Sequence, residues 1–257
     1  MIARDPWLAF ARHTPARIAL GRTGASLPTA EVLRFALAHA QARDAVHMPF
    51  DADAVARGIA DLGFSVLRAA SAAPARDVYL RRPDLGRRLG DASRVALAGG
   101  SGAPADLAIV VADGLSSAAV HAQAVPFLAA FKPWIAAQGW RCAPVVVAEQ
   151  ARVALGDEVG VLLKARAVAV LIGERPGLSS PDSLGLYLTL APAQGRSDAE
   201  RNCISNVRGA GLSHAAAAFK LAWLLKEAFR RGVTGIALKD ESDLLLEGAT
   251  PPGRLPA

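Results

Sequence analysis

Three carboxylate side chains stand at the ends of apolar runs in this sequence. Asp113, Glu149 and Glu174 each lie at or next to the end of a run rich in valine, isoleucine and leucine. Ionised carboxylates accept hydrogen bonds and cannot donate them, so they suit a ligand that carries N–H groups. If the runs are parallel strands, their carboxyl ends lie along one rim of a sheet, where open α/β proteins bind ligands. The sequence therefore predicts a ligand site on that rim.

The segment after Glu174 does not have the pattern of a phosphate-binding loop. Pro176 restricts Arg175 to extended conformations, so no helix can begin directly after the run, and the loop is expected to project outward. Such a loop suits a broad ligand or a partner surface. The alternative is a surface ion pair between Glu174 and Arg175, which contributes less than about 1 kcal/mol.

No recognisable pattern specifies a catalytic centre or a metal site. The sequence lacks G-x-G-x-x-G, G-x-x-x-x-G-K-[ST], G-x-S-x-G and H-E-x-x-H motifs, and its five histidines are expected to be structural or solvated. Cys142 and Cys203 lack zinc or redox spacing, and Cys203 is expected to be a small buried hydrophobic residue. Asp113 can equally belong to a turn in which Ser116 or Ser117 caps a helix. The residues alone indicate an α/β ligand-binding domain.

The elements that must position these side chains form an alternating pattern. Three runs have the composition of strands buried on both faces: 106–114, 144–150 and 167–174. A further strand is predicted at 184–191, and helical segments lie between and after the strands at 116–139, 151–166 and 213–232, with Pro126 and Pro133 as breaks in the first. Strand alternating with helix predicts parallel βαβ units with right-handed crossovers.

The first hundred residues are predicted to be mainly helical. Helical spacing covers 27–44, capped near Thr29, then 51–63, and 84–98 after a proline. A Gly/Ala/Pro-rich linker follows at 98–106. These patterns divide the chain into a mainly helical N-terminal region over 1–100, an α/β domain over 101–240, and a poorly ordered tail over 241–257.

Composition narrows the classes of function. The chain has 257 residues and a hydrophobic content of 52%, enough for one large domain or two modest ones. Every apolar run ends before the ~18 residues that a membrane span needs, so no membrane segment is expected. The net charge of +6 comes mostly from scattered arginines, so nucleic-acid binding is not expected either. Isolated cysteines and the absence of a signal-peptide pattern indicate a reducing cytoplasm.

Eight blocks, taken in order, carry a more specific signal than any single motif. They are DPW (5–7), TPARIALGRTGASLPT (14–29), FALAHAQARDAVH (35–47), YLRRPDLGRRL (79–89), ADLAIVVADGLS (105–116), ARVALGDEVG (151–160), LIGERPGLSSPDSLG (171–185) and AERNCISNVR (199–208). From about residue 5 to residue 240, the sequence resembles the small (light) subunit of ethanolamine ammonia-lyase.

The resemblance implies an enzyme that uses adenosylcobalamin (coenzyme B12) and a radical mechanism to convert ethanolamine to acetaldehyde and ammonia. It implies that a large subunit binds ethanolamine and carries the catalytic residues, whereas this chain covers the cofactor with a Rossmann-like, mostly parallel sheet and flanking helices. The family further implies a cytoplasmic hetero-oligomer with six copies of each subunit, which in many bacteria is associated with a microcompartment.

The resemblance places the cobalamin contacts of this chain at Val153, Glu174 and Cys203, and no catalytic residue on it. Glu174 is expected to accept from amide N–H groups on the corrin, and the other two to supply backbone groups and apolar contact. The absence of D-x-H-x-x-G agrees with base-on binding. The Arg-rich blocks, which include Arg81 and Arg82, are either helix packing with solvated charge or contacts with the large subunit, and contact is favoured because an obligate interface must lie somewhere on this chain. A cobalamin carrier without lyase activity and a freestanding α/β enzyme are the alternative functions.

Overall fold

A six-stranded mixed sheet forms the centre of the protein. The computed structural model describes residues 5–14, 16–100 and 102–243. The strands are β1 (Val66–Ala70), β2 (Ala105–Ala112), β3 (Val145–Glu149), β4 (Ala165–Gly173), β5 (Leu184–Leu190) and β6 (Asn202–Val207), in the spatial order β1-β3-β2-β4-β5-β6. Neighbours among the first four strands in this order are parallel, whereas β5 is antiparallel to both β4 and β6. The predicted α/β class with a mostly parallel sheet is confirmed.

Helices cover both faces of this sheet. They are α1 (Thr29–His47), α2 (Ala52–Asp61), α3 (Arg76–Arg81), α4 (Pro83–Gly86), α5 (Asp91–Gly99), α6 (Ser117–Gln138), α7 (Leu155–Leu162) and α8 (His214–Arg231). Short 3-10 helices occupy Pro6–His13, Asp198–Glu200 and Gly235–Ala237. Alternate residues of β2 point to opposite faces, so Ile109 packs with α2, α6 and α8, and Val110 packs with α5 and α7. Both faces of the central strands are therefore buried, as their apolar runs predicted.

Two strands were not predicted, and both are edge strands. The burial of β1 and β6 is partial or alternating along each strand, so neither has the continuous apolar run that marks β2, β3 and β4. The first of them lies within the region predicted to be mainly helical and pairs with β3. Five helices surround it in sequence, so the helical character of this region is confirmed.

One predicted helix is wrong, because the segment 84–98 is split between α4 and α5. Leu89 forms an isolated bridge with Ser71, and the Gly90 N–H donates to the Ala70 carbonyl at 3.0 Å. A side chain on Gly90 would press on the Ser71 carbonyl. The chain must therefore extend here to pack beside the end of β1, and helical spacing alone does not reveal that constraint.

Two other helices differ from their predicted extents. The helix predicted at 151–166 begins only at Leu155, since the Ala151 and Arg152 N–H groups donate to Asp113 and to the Gly86 carbonyl. By contrast, α6 continues through Pro126 and Pro133 without a break. Its side chains around these prolines are buried against the sheet and α8, and this packing outweighs the lost backbone hydrogen bonds.

The beginning of the predicted tail packs on α8. Ser242 is buried, and the Lys220 ammonium pairs with Asp240 at 3.2 Å and with Asp243 at 2.6 Å. The prediction of a poorly ordered tail otherwise falls on 244–257, which lie outside the described residues. Within the described ranges, none of the helices has the length and apolar character needed to cross a bilayer.

Candidate functional site

An open cavity lies at the carboxyl ends of β2, β3 and β4, on the rim predicted from the sequence. Its volume is ≈ 430 Å³. The residues that line it include Tyr79, Arg152, Val153, Glu174, Arg175 and Tyr187. Four of these six come from the segments that directly follow β3 and β4, whereas Tyr79 lies in α3 and Tyr187 in β5. The cavity thus brings together parts of the chain that are far apart in sequence.

Close backbone contact between the turn after β2 and the end of β4 shapes this rim. Gly114 has a positive φ of 57°, and the following Leu115 N–H donates to the Gly173 carbonyl at 2.9 Å. A Cβ on Gly173 would overlap the Ser116 carbonyl oxygen. Both positions therefore require glycine, because only a bare backbone allows the two turns to touch.

Ser116, one of the two serines predicted as a helix cap, is the N-cap of α6 and has a second role. Its hydroxyl oxygen accepts from the Ala119 N–H at 3.1 Å, which caps α6, while the hydroxyl donates to the Pro181 carbonyl at 2.8 Å. That second bond ties the loop after β4 to the start of α6. As Pro176 predicted, the loop contains a turn and no helix before β5 begins.

Asp113 holds two turns together and does not line the cavity. Only 1% of it is exposed, and its carboxylate accepts from the N–H groups of Gly114 at 3.0 Å and Ala151 at 3.1 Å and from Arg76 at 3.1 Å. Burial raises the pKa of Asp113 to about 6, and the Arg76 guanidinium opposes that rise. Asp113 therefore positions the segment that leads into Val153.

Glu174 has one oxygen held by the protein and one oxygen unused. Its Oε2 accepts from the Ser183 hydroxyl and from the Asn206 N–H at 3.2 Å. Within the described residues, Oε1 has no hydrogen-bond partner, and no ion pair joins Glu174 to Arg175. The carboxylate is thus fixed in place and still able to accept from a ligand in the cavity.

Cys203 lies next to the cavity, beside Tyr187. The two residues are direct neighbours across β5 and β6. Cys203 is exposed, so the expectation of a buried hydrophobic residue is wrong: it lies on an edge strand. Desolvation of the sulfur nonetheless raises the pKa of the Cys203 thiol, with Glu174 adding to the rise. The pKa of Tyr187 is raised as well, first by burial and then by Cys203.

Tyr79 is a site residue that the sequence did not indicate. Its ring is fully buried, and two guanidinium groups lie over it, that of Arg76 at 4.9 Å from the ring centroid and that of Arg152 at 4.3 Å. The Tyr79 hydroxyl donates to the Ala151 carbonyl at 3.2 Å, and burial raises the pKa of this phenol. Nε of Arg152 is buried without a hydrogen-bond partner among the described residues. Stacking on the Tyr79 ring therefore holds the Arg152 guanidinium at the wall of the cavity.

The cavity offers a fixed carboxylate, an arginine cation and an apolar surface, a combination suited to binding a ligand. The described residues include no group of three or more histidine, cysteine or acidic side chains that could hold a metal ion. Val153 and Glu174 share the cavity, and Cys203 joins it through Tyr187. The contact of these three residues with cobalamin stays a prediction.

Comparison with known proteins gives a consistent result. The family model described as "Ethanolamine ammonia-lyase light chain (EutC)" matches residues 4–239. Proteins named ethanolamine ammonia-lyase small subunit are similar along most of their length. The one from Xanthomonas campestris pv. campestris is 58% identical over 95% of this chain and 91% of its own. Those from Pseudomonas syringae pv. tomato and Pseudomonas aeruginosa are 57% and 56% identical, over 93% and 97% of this chain and 85% and 93% of their own. This chain belongs to the ethanolamine ammonia-lyase light chain family.

Proposed function

We propose that this chain is the small subunit of an adenosylcobalamin-dependent ethanolamine ammonia-lyase, which converts ethanolamine to acetaldehyde and ammonia. Family membership supports the lyase and its subunit organisation. The observation that carries the cofactor role is the fixed carboxylate of Glu174 on an open rim, where Oε1 has no hydrogen-bond partner among the described residues. A carboxylate held in this way is suited to holding a cofactor.

The residues of the cavity fit the periphery of a corrin ring. Cobalamin carries amide side chains around the corrin, and amides need both acceptors and donors. Glu174 offers the acceptor, Arg152 offers N–H donors beside Tyr79, and Val153 offers an apolar surface. A volume of ≈ 430 Å³ is in the range of about 300–1,000 Å³ for drug-sized ligands, and cobalamin is larger than these. The cofactor would therefore extend beyond this chain toward a partner.

Adenosylcobalamin supplies the organic radical that such lyases need, by homolysis of its Co–C bond. The residues of this chain would bind the cofactor, set its orientation and exclude water from the face that they cover. Ethanolamine and the catalytic side chains belong to the large subunit in this proposal. The chain alone would thus have no activity.

The N-terminal region offers a surface for the large subunit. In α1 only Ala38 and Ala45 are buried among the side chains described, and its large apolar residues are exposed, among them Leu33 at 64% and Leu37 at 60%. Trp7, in the first 3-10 helix, is exposed at 64%. A free surface this apolar is typical of an interface that a partner covers. Residues 1–100 are therefore the region proposed to contact the large subunit.

Arg81 and Arg82 are less suited to that contact than α1 is. Arg81 pairs with Asp77 at 2.5 Å and Arg82 pairs with Asp84 at 2.7 Å, so both guanidinium groups already have acidic partners. Changing Leu33 and Leu37 to serine should reduce recovery of the large subunit in a pull-down, whereas Arg81→Gln with Arg82→Gln should leave it unchanged. Equal recovery with all variants would contradict an interface on α1.

Activity of the reconstituted complex tests the function itself. The chain would be co-expressed with an ethanolamine ammonia-lyase large subunit, purified, and assayed for ammonia release from ethanolamine with added adenosylcobalamin. Activity is expected only with both subunits and the cofactor. Ammonia release by the chain alone would contradict the proposal, and tight cobalamin binding without activity in the complex would favour the carrier alternative.

The proposed assembly has six small and six large subunits in the cytoplasm, with enclosure in a bacterial microcompartment where the host builds one. Sedimentation equilibrium of the purified complex measures the subunit number directly. A mass that corresponds to a single pair of subunits would contradict the proposed stoichiometry.

A further inference from the structure

A second, larger cleft lies beside the candidate site. Its volume is ≈ 920 Å³, and its walls are the loop between α4 and α5, the start of α7, and the loop before the 3-10 helix Asp198–Glu200. Ala154 lines this cleft, and the preceding Val153 lines the first cavity. The Arg152 N–H also donates to the Gly86 carbonyl at 2.8 Å, directly before Arg87. The two depressions therefore share one wall.

The acidic side chains of this cleft are already paired with arginines. Asp157 pairs with the buried Arg201 at 2.7 Å, Asp198 lies 3.5 Å from the same guanidinium, and Glu158 pairs with Arg94 at 3.3 Å. These contacts neutralise the two buried carboxylates of the cleft, Asp157 and Glu158, whereas the carboxylate of Asp198 is exposed.

Arg87 and Arg88 are the arginines of the cleft that have no acidic partner among the described residues. Both side chains line the cleft and are exposed, and neither has a hydrogen bond or an ion pair within the described ranges. Arg196, the remaining arginine of the lining, pairs with Glu200 at 2.5 Å. Two adjacent guanidinium groups without acidic partners make a site that favours an anion with several acceptor oxygens.

We infer that Arg87 and Arg88 bind the phosphodiester in the nucleotide loop of cobalamin. The first cavity binds the amide side chains at the edge of the corrin ring. The inference rests on the proposed cofactor role. A corrin periphery carries neutral amides, whereas the nucleotide loop carries the one phosphate of a base-on cobalamin, and arginine is a preferred partner for phosphate. The first cavity suits that phosphate less well: Arg175 has no ion pair within the described part of the chain, but the neighbouring carboxylate of Glu174 would repel an anion there.

Cobinamide, which lacks the phosphate and the nucleotide base, provides the test. The complex with the large subunit would be prepared with Arg87→Gln and Arg88→Gln together, and its Kd for hydroxocobalamin and for cobinamide would be measured by equilibrium dialysis. Loss of charge-assisted bonds should weaken cobalamin binding by about tenfold or more and leave cobinamide binding unchanged. A matched control is Arg57→Gln with Lys239→Gln, which removes two exposed cations that line neither depression.

Four results would overturn the inference. The first is an equal loss for both ligands, and the second is an unchanged Kd for cobalamin. The third is failure of the variant to assemble with the large subunit in size-exclusion chromatography, which would make the arginines protein contacts. The fourth is a selective loss in Arg175→Gln instead, which would move the phosphate to the first cavity. If the wild-type complex binds neither ligand, the proposed function fails as well, so the two failures are distinguishable.

Discussion

Replacing Glu174 by alanine should weaken cobalamin binding by the complex of small and large subunits. Oε1 of Glu174 has no partner among the described residues, so one charge-assisted hydrogen bond to a corrin amide is available. Such a bond contributes about 1.5 to 3 kcal/mol. Its loss corresponds to an increase in Kd of about tenfold to a hundredfold.

The alanine variant also removes Oε2, which holds the loop. Ser183→Ala is the matched control, because it deletes one of the two donors to Oε2 and leaves Oε1 untouched. Its effect on cobalamin affinity should therefore be much smaller. Glu174→Gln keeps the shape of the side chain but removes the charge, and we expect a Kd between those of the wild type and the alanine variant.

Equilibrium dialysis of hydroxocobalamin against each purified complex measures the Kd, and thermal unfolding checks that the variants are folded. An unchanged Kd for Glu174→Ala would mean that Glu174 holds the loop but makes no bond to cobalamin. A loss in Ser183→Ala as large as that in Glu174→Ala would mean that loop order, and not a ligand bond, determines the affinity. Either result would refute the role deduced from the free oxygen.

Three further changes probe the scaffold. Arg201→Met should lower the free energy of unfolding by about 3 to 5 kcal/mol, because the carboxylate of Asp157, only 2% exposed, loses its partner. Denaturant unfolding measures this change. Arg82→Met, which breaks an exposed ion pair, is the control and should be nearly neutral. Asp113 has a pKa of about 6 in the folded protein, above its ordinary value, so the folded state holds this proton more tightly than the unfolded state does. The free energy of unfolding should therefore fall as pH rises from about 4 to about 6. Asp113→Asn should flatten that slope in thermal melts. Gly173→Ala should destabilise the fold by displacing the Ser116 carbonyl, whereas Gly99→Ala, with open space around it, should not; equal melting temperatures for the two variants would contradict the close contact.

Central elements of the fold were predictable because they are buried on both faces. The continuous apolar runs of β2, β3 and β4 have no other role than to fill the core, so composition alone identified them. The edge strands β1 and β6 have weaker patterns, and their pairing depends on partners distant in sequence. The split between α4 and α5 has the same cause, since Leu89 bridges to Ser71 at the end of β1.

The candidate site was predictable only in part. Turn residues at strand ends placed Glu174 and the segment around Val153 on one rim, and the structure brings both to one cavity. Tyr79 and the stacking of Arg152 on its ring could not be predicted, because α3 reaches the rim through tertiary contacts more than 70 residues apart along the chain. The unpaired state of Arg87 and Arg88 likewise depends on which acids lie nearby in space.

The hydrogen bonds of Arg76 join the N-terminal region to the rim of the sheet. Its Nε donates to the Val46 carbonyl in α1 at 2.9 Å, and its Nη1 donates to Asp113, which in turn accepts from the Ala151 N–H. A partner that fixes α1 would thereby also fix the segment leading into Val153. If the chain binds cobalamin as proposed, thermodynamic reciprocity requires that cobalamin tighten subunit association by the same factor by which association tightens cobalamin binding. Assembly and cofactor loading would be a single linked equilibrium.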